Sequence, residues 1–250
     1  MSLSSNLRIH ISPVGYDPVD RVMDALTRFR ADRVYLVSYR KDDPAAKQFK
    51  KVKDALHAHR EIEVVEIFAD IWDLFSCLEK YREIFSKEEK NHVYVNVSTG
   101  SKIVSIAGML SCMLWNGTPY YTKLDYTDGS ESKSKSEERK VTGTDFLPVY
   151  EISRPTEESM KVLATIDSVG GKMTKKALIE RLQSREYQMI PQFGPSQTRS
   201  APHSRLRAII DPLEKHWHFV EVRSRGRKSE VSLTEQGASA LKIFGAGTTT

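Results

Sequence analysis

The chain has 250 residues, of which 39 % are hydrophobic and 28 % charged, a composition typical of one large globular domain or two modest ones. No apolar run approaches the ~18–20 residues that cross a bilayer, which argues against a membrane protein, and the amino terminus lacks the basic end and long apolar stretch of a secretory signal. The two cysteines, Cys77 and Cys112, exclude a disulfide framework, so we expect a cytoplasmic protein in a reducing environment.

The net charge of +5 is unevenly distributed along the chain. Residues 1–153 hold 22 basic and 23 acidic side chains, whereas residues 154–250 hold 16 basic and 10 acidic ones. We therefore predict two domains with these boundaries, of which the second meets a polyanion. The alternative is that the second domain only carries a few extra charges, as many small domains do.

Runs with strand character alternate with helical patterns through the first domain. Strands are predicted at 7–11, 33–39, 61–68, 92–97 and 119–124, and helices at 17–29, 45–59, 71–85 and 102–115. Apolar strands separated by helices predict an α/β fold, a parallel Rossmann-like sheet covered on both faces. Residues 125–139 are polar and predict a solvated loop. Residues 141–152 predict one or two short edge strands, because Gly143 and Pro148 would disrupt a central one.

Two segments follow strands whose carboxyl ends share one edge of this sheet, where open parallel sheets bind ligands. The first consists of Ser12, Pro13, Val14, Gly15 and Tyr16, and the second of Asn96, Val97, Ser98, Thr99, Gly100, Ser101 and Lys102. Small residues at a helix N-terminus expose N–H groups that attract phosphate, and Lys102 adds a positive charge. The second loop has neither the Walker nor the GxGxxG pattern, which argues against a nucleoside triphosphatase or a dinucleotide oxidoreductase. Alternatively, Ser98 and Thr99 only cap a buried helix.

A strand followed by Asn-x-Ser/Thr-x-Gly-Ser/Thr-Lys and a hydrophobic helix resembles the signature of CRISPR-associated Rossmann fold (CARF) domains. Asn96 to Lys102 carry this motif, and Ser12 to Tyr16 match the other ligand loop of the family, so residues 5–152 are similar to it. One departure is Thr99-Gly100, which stands where a glycine pair is common. The resemblance implies a homodimer whose paired loops bind a cyclic oligoadenylate, such as cyclic tetra-adenylate, or a related nucleotide, and it implies no cofactor.

The second domain shows the order helix, helix, helix, hairpin, helix. Helices are predicted at 160–169, at 175–185 after the N-cap Thr174, at 202–217 with a kink at Pro212, and at 234–244; strands at 219–222 and 230–233 form the hairpin, and residues 186–198 form an insertion. This pattern strongly resembles winged helix-turn-helix proteins. The whole chain is similar to the CARF–winged-helix transcriptional regulators of archaea.

Basic and polar residues gather at two places in this domain. They are Arg199, Ser200, His203, Ser204, Arg205 and Arg207 near the start of the third helix, and Arg223, Arg225, Arg227 and Lys228 in the wing. In winged helices the third helix enters the major groove and the wing follows the backbone or the minor groove. We therefore predict double-stranded DNA as a partner, with about four to six phosphate contacts per protomer. The alternatives are a solvated charged surface and a protein-docking module.

Signals for catalysis are weak. The seven histidines lack the spacing of metal ligands, so no metal site is predicted, and Cys112 reads as a core residue. Ser12, Ser98, Thr99 and Lys102 could position a ribose hydroxyl, but no general base accompanies them. The sequence thus predicts a ligand-responsive DNA-binding transcriptional regulator. The alternatives are a ring nuclease that cleaves cyclic oligoadenylate, with the winged helix serving dimerisation, and a constitutive DNA-binding or scaffolding protein.

Overall fold

The computed structural model describes residues 6–39, 45–59, 61–125, 140–184, 187, 189, 201–225 and 228–245. Within them the chain divides into two compact units, Met1–Ser153 and Arg154–Thr250. No helix in these described ranges combines the length and the apolar character that a bilayer crossing requires.

Strands and helices alternate in the first unit, as the hydrophobic pattern predicts. Its elements are β1 (Arg8–Pro13), α1 (Val19–Arg28), β2 (Arg33–Ser38), α2 (Ala46–Ala58), β3 (Glu63–Phe68), α3 (Leu74–Lys87), β4 (His92–Asn96), α4 (Lys102–Trp115), β5 (Thr118–Leu124) and β6 (Val141–Phe146). They form one six-stranded sheet in the order β3-β2-β1-β4-β5-β6. The first five strands pair in parallel, and β6 pairs antiparallel with β5 at the edge.

The central strands are buried on both faces because helices cover the sheet on each side. β1 and β2 bury five of their six residues each, among them Ile9, Ile11, Val34 and Leu36. Such near-continuous apolar runs are typical of parallel strands between two helical layers. The Rossmann-like α/β fold predicted from the sequence is therefore confirmed.

The end of β1 differs from the prediction for an identifiable reason. Ser12 and Pro13 extend β1 instead of forming the turn after it, because both residues still pair with β2. Pro13 loses no ladder bond at this strand end, and the next residue, Val14, donates its N–H to the carbonyl of Val37. Residues 141–152 contain one edge strand, β6, in agreement with the predicted one or two. The predicted loop 126–139 lies outside the described residues.

The second unit is a winged helix. Its elements are α5 (Glu157–Asp167), β7 (Lys172–Thr174), α6 (Lys175–Leu182), α7 (Ala201–Lys215), β8 (Val220–Arg225), β9 (Lys228–Leu233) and α8 (Glu235–Phe244). The strands form an antiparallel sheet in the order β7-β9-β8. Thr174 caps α6 as predicted, accepting a hydrogen bond from the N–H of Ala177. The helix α7 continues through Pro212 to Lys215.

The sequence did not predict the strand β7, because three residues are too few to show an alternating hydrophobic pattern. Its pairing with β9 defines it, and the two glycines before it, Gly170 and Gly171, have φ angles of +86° and +78° that turn the chain out of α5. Most of the predicted insertion 186–198 lies outside the described residues.

Candidate ligand crevice and nucleic-acid interface

The two loops singled out in the sequence meet at the topological switch point of the sheet. β1 and β4 are neighbours, but the chain leaves β1 towards β2 on one side and leaves β4 towards β5 on the other. A crevice opens between the connections at such a point, beyond the carboxyl ends of the strands, and this is where open α/β sheets bind ligands. Here the crevice is bounded by the loop after β1 and by the loop that enters α4.

Glycines allow the two loop backbones to touch. A Cβ atom on Gly15 would lie only 3.0 Å from the Cα of Gly100. Gly100 itself has a φ of +81°, and a Cβ there would lie 2.8 Å from side-chain atoms of both Pro13 and Val104. The positive φ and the close approach both require glycine. The single glycine of the Thr99-Gly100 pair therefore stands at the position that needs one.

The hydroxyl groups of the second loop are directed into the protein. Thr99 is 1 % exposed and donates its Oγ1 hydrogen to the carbonyl of Pro13 at 2.6 Å. Ser101 donates to the carbonyl of Ile71 at 2.5 Å and caps α4 by accepting from the N–H of Val104 at 3.1 Å. These bonds tie the loop to the end of β1 and to the segment after β3. The cap of α4 is therefore Ser101, and neither Ser98 nor Thr99 caps the helix as the alternative expected.

Ser12, Asn96 and Ser98 form a buried layer beneath the loop. The Nδ2 of Asn96 donates to the hydroxyl of Ser12 at 3.2 Å, and both residues are fully buried. The Oδ1 of Asn96 accepts from the N–H and the hydroxyl of Ser98, at 2.9 and 2.5 Å. A ligand would sense these three side chains through the loop backbone that they position. Their predicted place in a ligand site stays a prediction.

The groups that face outward are few. Lys102 is exposed in the first turn of α4, and Tyr16 in the first loop is 69 % exposed. Unpaired N–H groups and the positive end of the helix dipole favour an anion at the start of α4, and the Lys102 ammonium adds to this field. The crevice can therefore attract a phosphate group, with Tyr16 as a neighbouring aromatic surface.

Sequence reasoning missed two charged residues at this site, Asp17 and Arg21. Asp17 follows the first loop directly, and its carboxylate accepts a hydrogen bond from the N–H of Gly100 at 3.0 Å. Arg21 lies one helical turn later and is 7 % exposed. The signal was available, since Asp17 and Arg21 have the i, i+4 spacing of a helical ion pair.

The predicted DNA-binding face of α7 is exposed as expected. His203, Ser204, Arg205 and Arg207 are exposed, whereas the buried side of the same helix carries Leu206, Ile209, Ile210 and Leu213. Arg199, Ser200 and Arg227 lie outside the described residues, as do the side chains of Arg225 and Lys228.

Each described arginine of this surface has a carboxylate partner. Arg205 pairs with Glu158 at 2.6 Å and Arg207 with Asp211 at 3.3 Å. In the wing, Arg223 forms two hydrogen bonds with Glu221, at 2.9 and 3.0 Å, and these hold the pKa of Glu221 below its usual range. Exposed pairs contribute little to stability, so a phosphate group can replace the carboxylate at small cost.

Fold and site thus define a Rossmann-like domain with a switch-point crevice, joined to a winged helix. Residues 8–126 match the family described as HFX_2341_N:-like, N-terminal, and residues 158–245 match the DUF6293 C-terminal winged helix domain. The chain therefore combines an HFX_2341_N-like amino-terminal domain with a winged-helix domain of the DUF6293 type. The winged helix predicted from the sequence is confirmed.

One curated relative matches about two thirds of the chain at moderate identity. The uncharacterized protein MJ1513 of Methanocaldococcus jannaschii is 29 % identical over 192 residues, which cover 66 % of this chain and 57 % of that protein. The chain thus spans little more than half the length of this relative.

Several solved structures align with most of the chain at low identity. Csm6 of Enterococcus italicus bound to cyclic hexa-2'-fluoro-hexa-dAMP is 12 % identical with a TM-score of 0.40, covering 85 % of this chain and 56 % of that one. Can2 of Sulfobacillus thermosulfidooxidans in complex with cyclic tetra-adenylate is 12 % identical with a TM-score of 0.41, covering 94 % and 63 %. Protein VC1899 of Vibrio cholerae is 11 % identical with a TM-score of 0.40, covering 95 % and 64 %.

Proposed function

We propose that the protein is a CRISPR-associated, nucleotide-responsive transcriptional regulator. Its amino-terminal domain binds a cyclic oligoadenylate or a related cyclic nucleotide as a homodimer, and its winged helix binds double-stranded DNA. The observation that carries the proposal is the meeting of the two loops at the switch point, with Lys102 exposed on the first turn of α4.

The crevice suits an anionic ligand. The groups there that favour an anion are backbone N–H groups and the Lys102 ammonium, which recognise phosphate by hydrogen bonds and by charge. The motif from Asn96 to Lys102 resembles that of CARF domains, and two copies of it around a two-fold axis would match the symmetry of a cyclic oligoadenylate.

The winged helix supports the DNA half of the proposal. The exposed side of α7 carries His203, Arg205 and Arg207 opposite an apolar core face, which is the arrangement of a helix that enters the major groove. Arg223 extends the positive surface along the wing, and its exposed partner Glu221 leaves it able to contact a phosphate.

A ligand regulates DNA binding only if it binds two states of the dimer with different affinity. Coupling of this kind is typically ~1–3 kcal/mol, equivalent to a change of roughly 5–150-fold in DNA affinity. Binding across the dimer axis would select one spacing of the two α7 helices, and this spacing determines whether both can contact DNA.

The test is a DNA-binding titration of the full chain at two salt concentrations, with and without cyclic tri-, tetra- and hexa-adenylate. We expect one ring size to change the DNA affinity, and Lys102→Ala to abolish that change while leaving the affinity of the ligand-free protein intact. Lys90→Ala is the matched control, because Lys90 is exposed just before β4, at the opposite end of the strand from the crevice. DNA affinity that no cyclic oligoadenylate alters would overturn the proposal.

The same samples test whether the ligand is cleaved. Incubation with cyclic tetra-adenylate followed by chromatography would show linear products if the protein were a ring nuclease. A regulator leaves the ring intact on the time scale of the DNA titration, whereas linear products without any change in DNA affinity would favour the enzyme.

A further inference from the structure

The anion-binding end of the crevice already contains a carboxylate of the protein itself. The N–H of Gly100 points out of the loop that enters α4, which is the position where a backbone donor would bind a phosphate oxygen. Asp17 accepts this N–H through its Oδ2 at 3.0 Å. Its carboxylate also lies next to Gly15, where a Cβ atom would be 3.6 Å from Oδ2. A bound anion therefore meets a fixed negative charge.

Asp17 is held in this position from three sides. Its Oδ1 accepts from the Nη1 of Arg21 at 2.7 Å, and its backbone carbonyl accepts from the Nε2 of Gln48 at 2.6 Å. Arg21 is itself anchored to β5, donating to the carbonyl of Thr122 at 3.1 Å and to the hydroxyl of Tyr121 at 3.0 Å. Asp17 thus links the loop before α4 to the helices α1 and α2 and, through Arg21, to the strand β5.

We propose that Asp17 is a positioning residue of the crevice that also tunes its affinity for anions: its carboxylate fixes the Gly100 N–H and its charge weakens the binding of anions. This rests on the proposed function, since it concerns the same site. Arg21 balances the charge of Asp17, so the pair is neutral as long as both residues are present. A single phosphate gains little beside this carboxylate, whereas a ligand with several phosphates also gains contacts elsewhere. The device therefore lowers the affinity of the crevice for any anion that binds beside Gly100.

Substitutions of Asp17 and of Arg21 are expected to change the affinity for anions in opposite directions. Asp17→Asn keeps an oxygen that can accept the Gly100 N–H but leaves the Arg21 charge unbalanced, so we expect about tenfold tighter anion binding at low salt. Arg21→Gln leaves the carboxylate unbalanced, so we expect binding weakened by a similar factor. The double variant restores neutrality and should bind nearly as the wild type does. A purely structural role would weaken binding in all three variants.

The titrations use isothermal calorimetry with cyclic tetra-adenylate, cyclic hexa-adenylate, adenosine monophosphate and inorganic pyrophosphate. Asp20→Asn is the matched control, because Asp20 is an exposed carboxylate in the first turn of the same helix, away from Gly100. We expect this control to change the affinity less than threefold, and the gain in Asp17→Asn to shrink as salt is raised. We also expect Asp17→Asn to gain affinity for pyrophosphate and for the mononucleotide as well as for the cyclic ligands. Equal or weaker binding by Asp17→Asn would overturn the charge effect, whatever the affinity of Arg21→Gln.

The positioning role is tested without any ligand. Amide hydrogen exchange at Gly100 should be about tenfold or more faster in Asp17→Ala, where no acceptor remains, and close to wild type in Asp17→Asn. Unchanged exchange in Asp17→Ala would overturn it. If the wild type binds no cyclic oligoadenylate, the proposed function fails, but pyrophosphate titration and amide exchange still decide the role of Asp17. If Asp17→Asn does not fold, the salt dependence of Arg21→Gln carries the test: a loss of affinity that shrinks as salt is raised supports the charge effect, and a loss that is independent of salt overturns it.

Discussion

The glycine at the contact between the two loops provides a quantitative test of the site. Replacement of Gly100 by alanine adds one carbon atom to a residue whose φ is +81°. An L-residue in left-handed backbone costs roughly 1–2 kcal/mol. The new Cβ would also lie 2.8 Å from Pro13 and from Val104, and overpacking of this kind costs about 1–3 kcal/mol. We expect Gly100→Ala to lower the free energy of unfolding of the first unit by about 2–5 kcal/mol.

Urea denaturation of the full chain measures this change. Both units contain tryptophan, Trp72 and Trp115 in the first and Trp217 in the second, so fluorescence alone does not assign a transition to one unit. Peptide-resolved hydrogen exchange makes that assignment. Gly143→Ala in β6 is the matched control, because no atom lies within 4 Å of its added Cβ and its φ is not positive.

The result that refutes the reasoning is specific. If the free energies of unfolding of Gly100→Ala and Gly143→Ala differ by less than about 0.5 kcal/mol, the two loops are not packed against each other as described. Surface substitutions away from such contacts change the free energy of unfolding by amounts in that range. A second transition that shifts in the winged helix instead of the first unit would also contradict the assignment. Loss of ligand binding at unchanged stability would show that the substitution affects ligand recognition and not the packing of the two loops.

Three further predictions follow from other parts of the structure. Burial lowers the pKa of His10 to about 3, so at pH 5 the unfolded state binds this proton and the folded state does not; the free energy of unfolding should fall as the pH is lowered through 6.5, with a slope that approaches about 1.4 kcal/mol per pH unit near pH 5 in urea denaturation, and His10→Gln should remove that slope. Arg223→Ala should reduce the slope of log affinity for DNA against log salt by about 1 if Arg223 contacts a phosphate, whereas Lys90→Ala should not. Gly237→Ala should destabilise the winged helix by at least about 2 kcal/mol in thermal unfolding, because its Cβ would overlap the carbonyl oxygen of Phe219.

Hydrophobic periodicity was sufficient to predict most of the fold, because helices bury their apolar side chains on one face and the central strands bury theirs on both faces. The helix α4 begins at Lys102 and ends at Trp115 as predicted, since Ser101 caps it and an asparagine in left-handed conformation, Asn116, ends it. Elements defined by pairing alone were not predictable. The strand β7 exists because Lys172–Thr174 pair with β9, and three residues are too few for a pattern.

Burial of charged groups was also beyond the sequence. Glu88 is 2 % exposed and accepts hydrogen bonds from the hydroxyl of Tyr35, from Arg33 and from Asn91. These partners lower the pKa of Glu88 against the opposing effect of its burial, so it stays charged at the amino-terminal edge of the sheet. Its local sequence, a run of lysine and glutamate, is typical of a solvated helix end. Only its hydrogen-bond partners in the folded structure distinguish this buried glutamate from a solvated one.

The candidate site shows the same division between pattern and partner. The motif located the loop, but it could not show which way each side chain turns, because a serine or threonine before a helix can either face a ligand or complete the fold. Thr99 and Ser101 complete the fold here, through the carbonyls of Pro13 and Ile71. The chemistry left for a ligand lies in the backbone and in Lys102.

That division decides which variants inform on function. Substitution of Thr99 or Ser101 would release the loop from Pro13 or Ile71, so a loss of ligand binding there would report on packing as much as on recognition. Lys102 makes no side-chain hydrogen bond or ion pair within the described part of the chain, so its ammonium can be removed with little effect on the fold. A change of ligand response in Lys102→Ala at unchanged stability therefore isolates recognition, and among the loop residues this variant separates the two roles most cleanly.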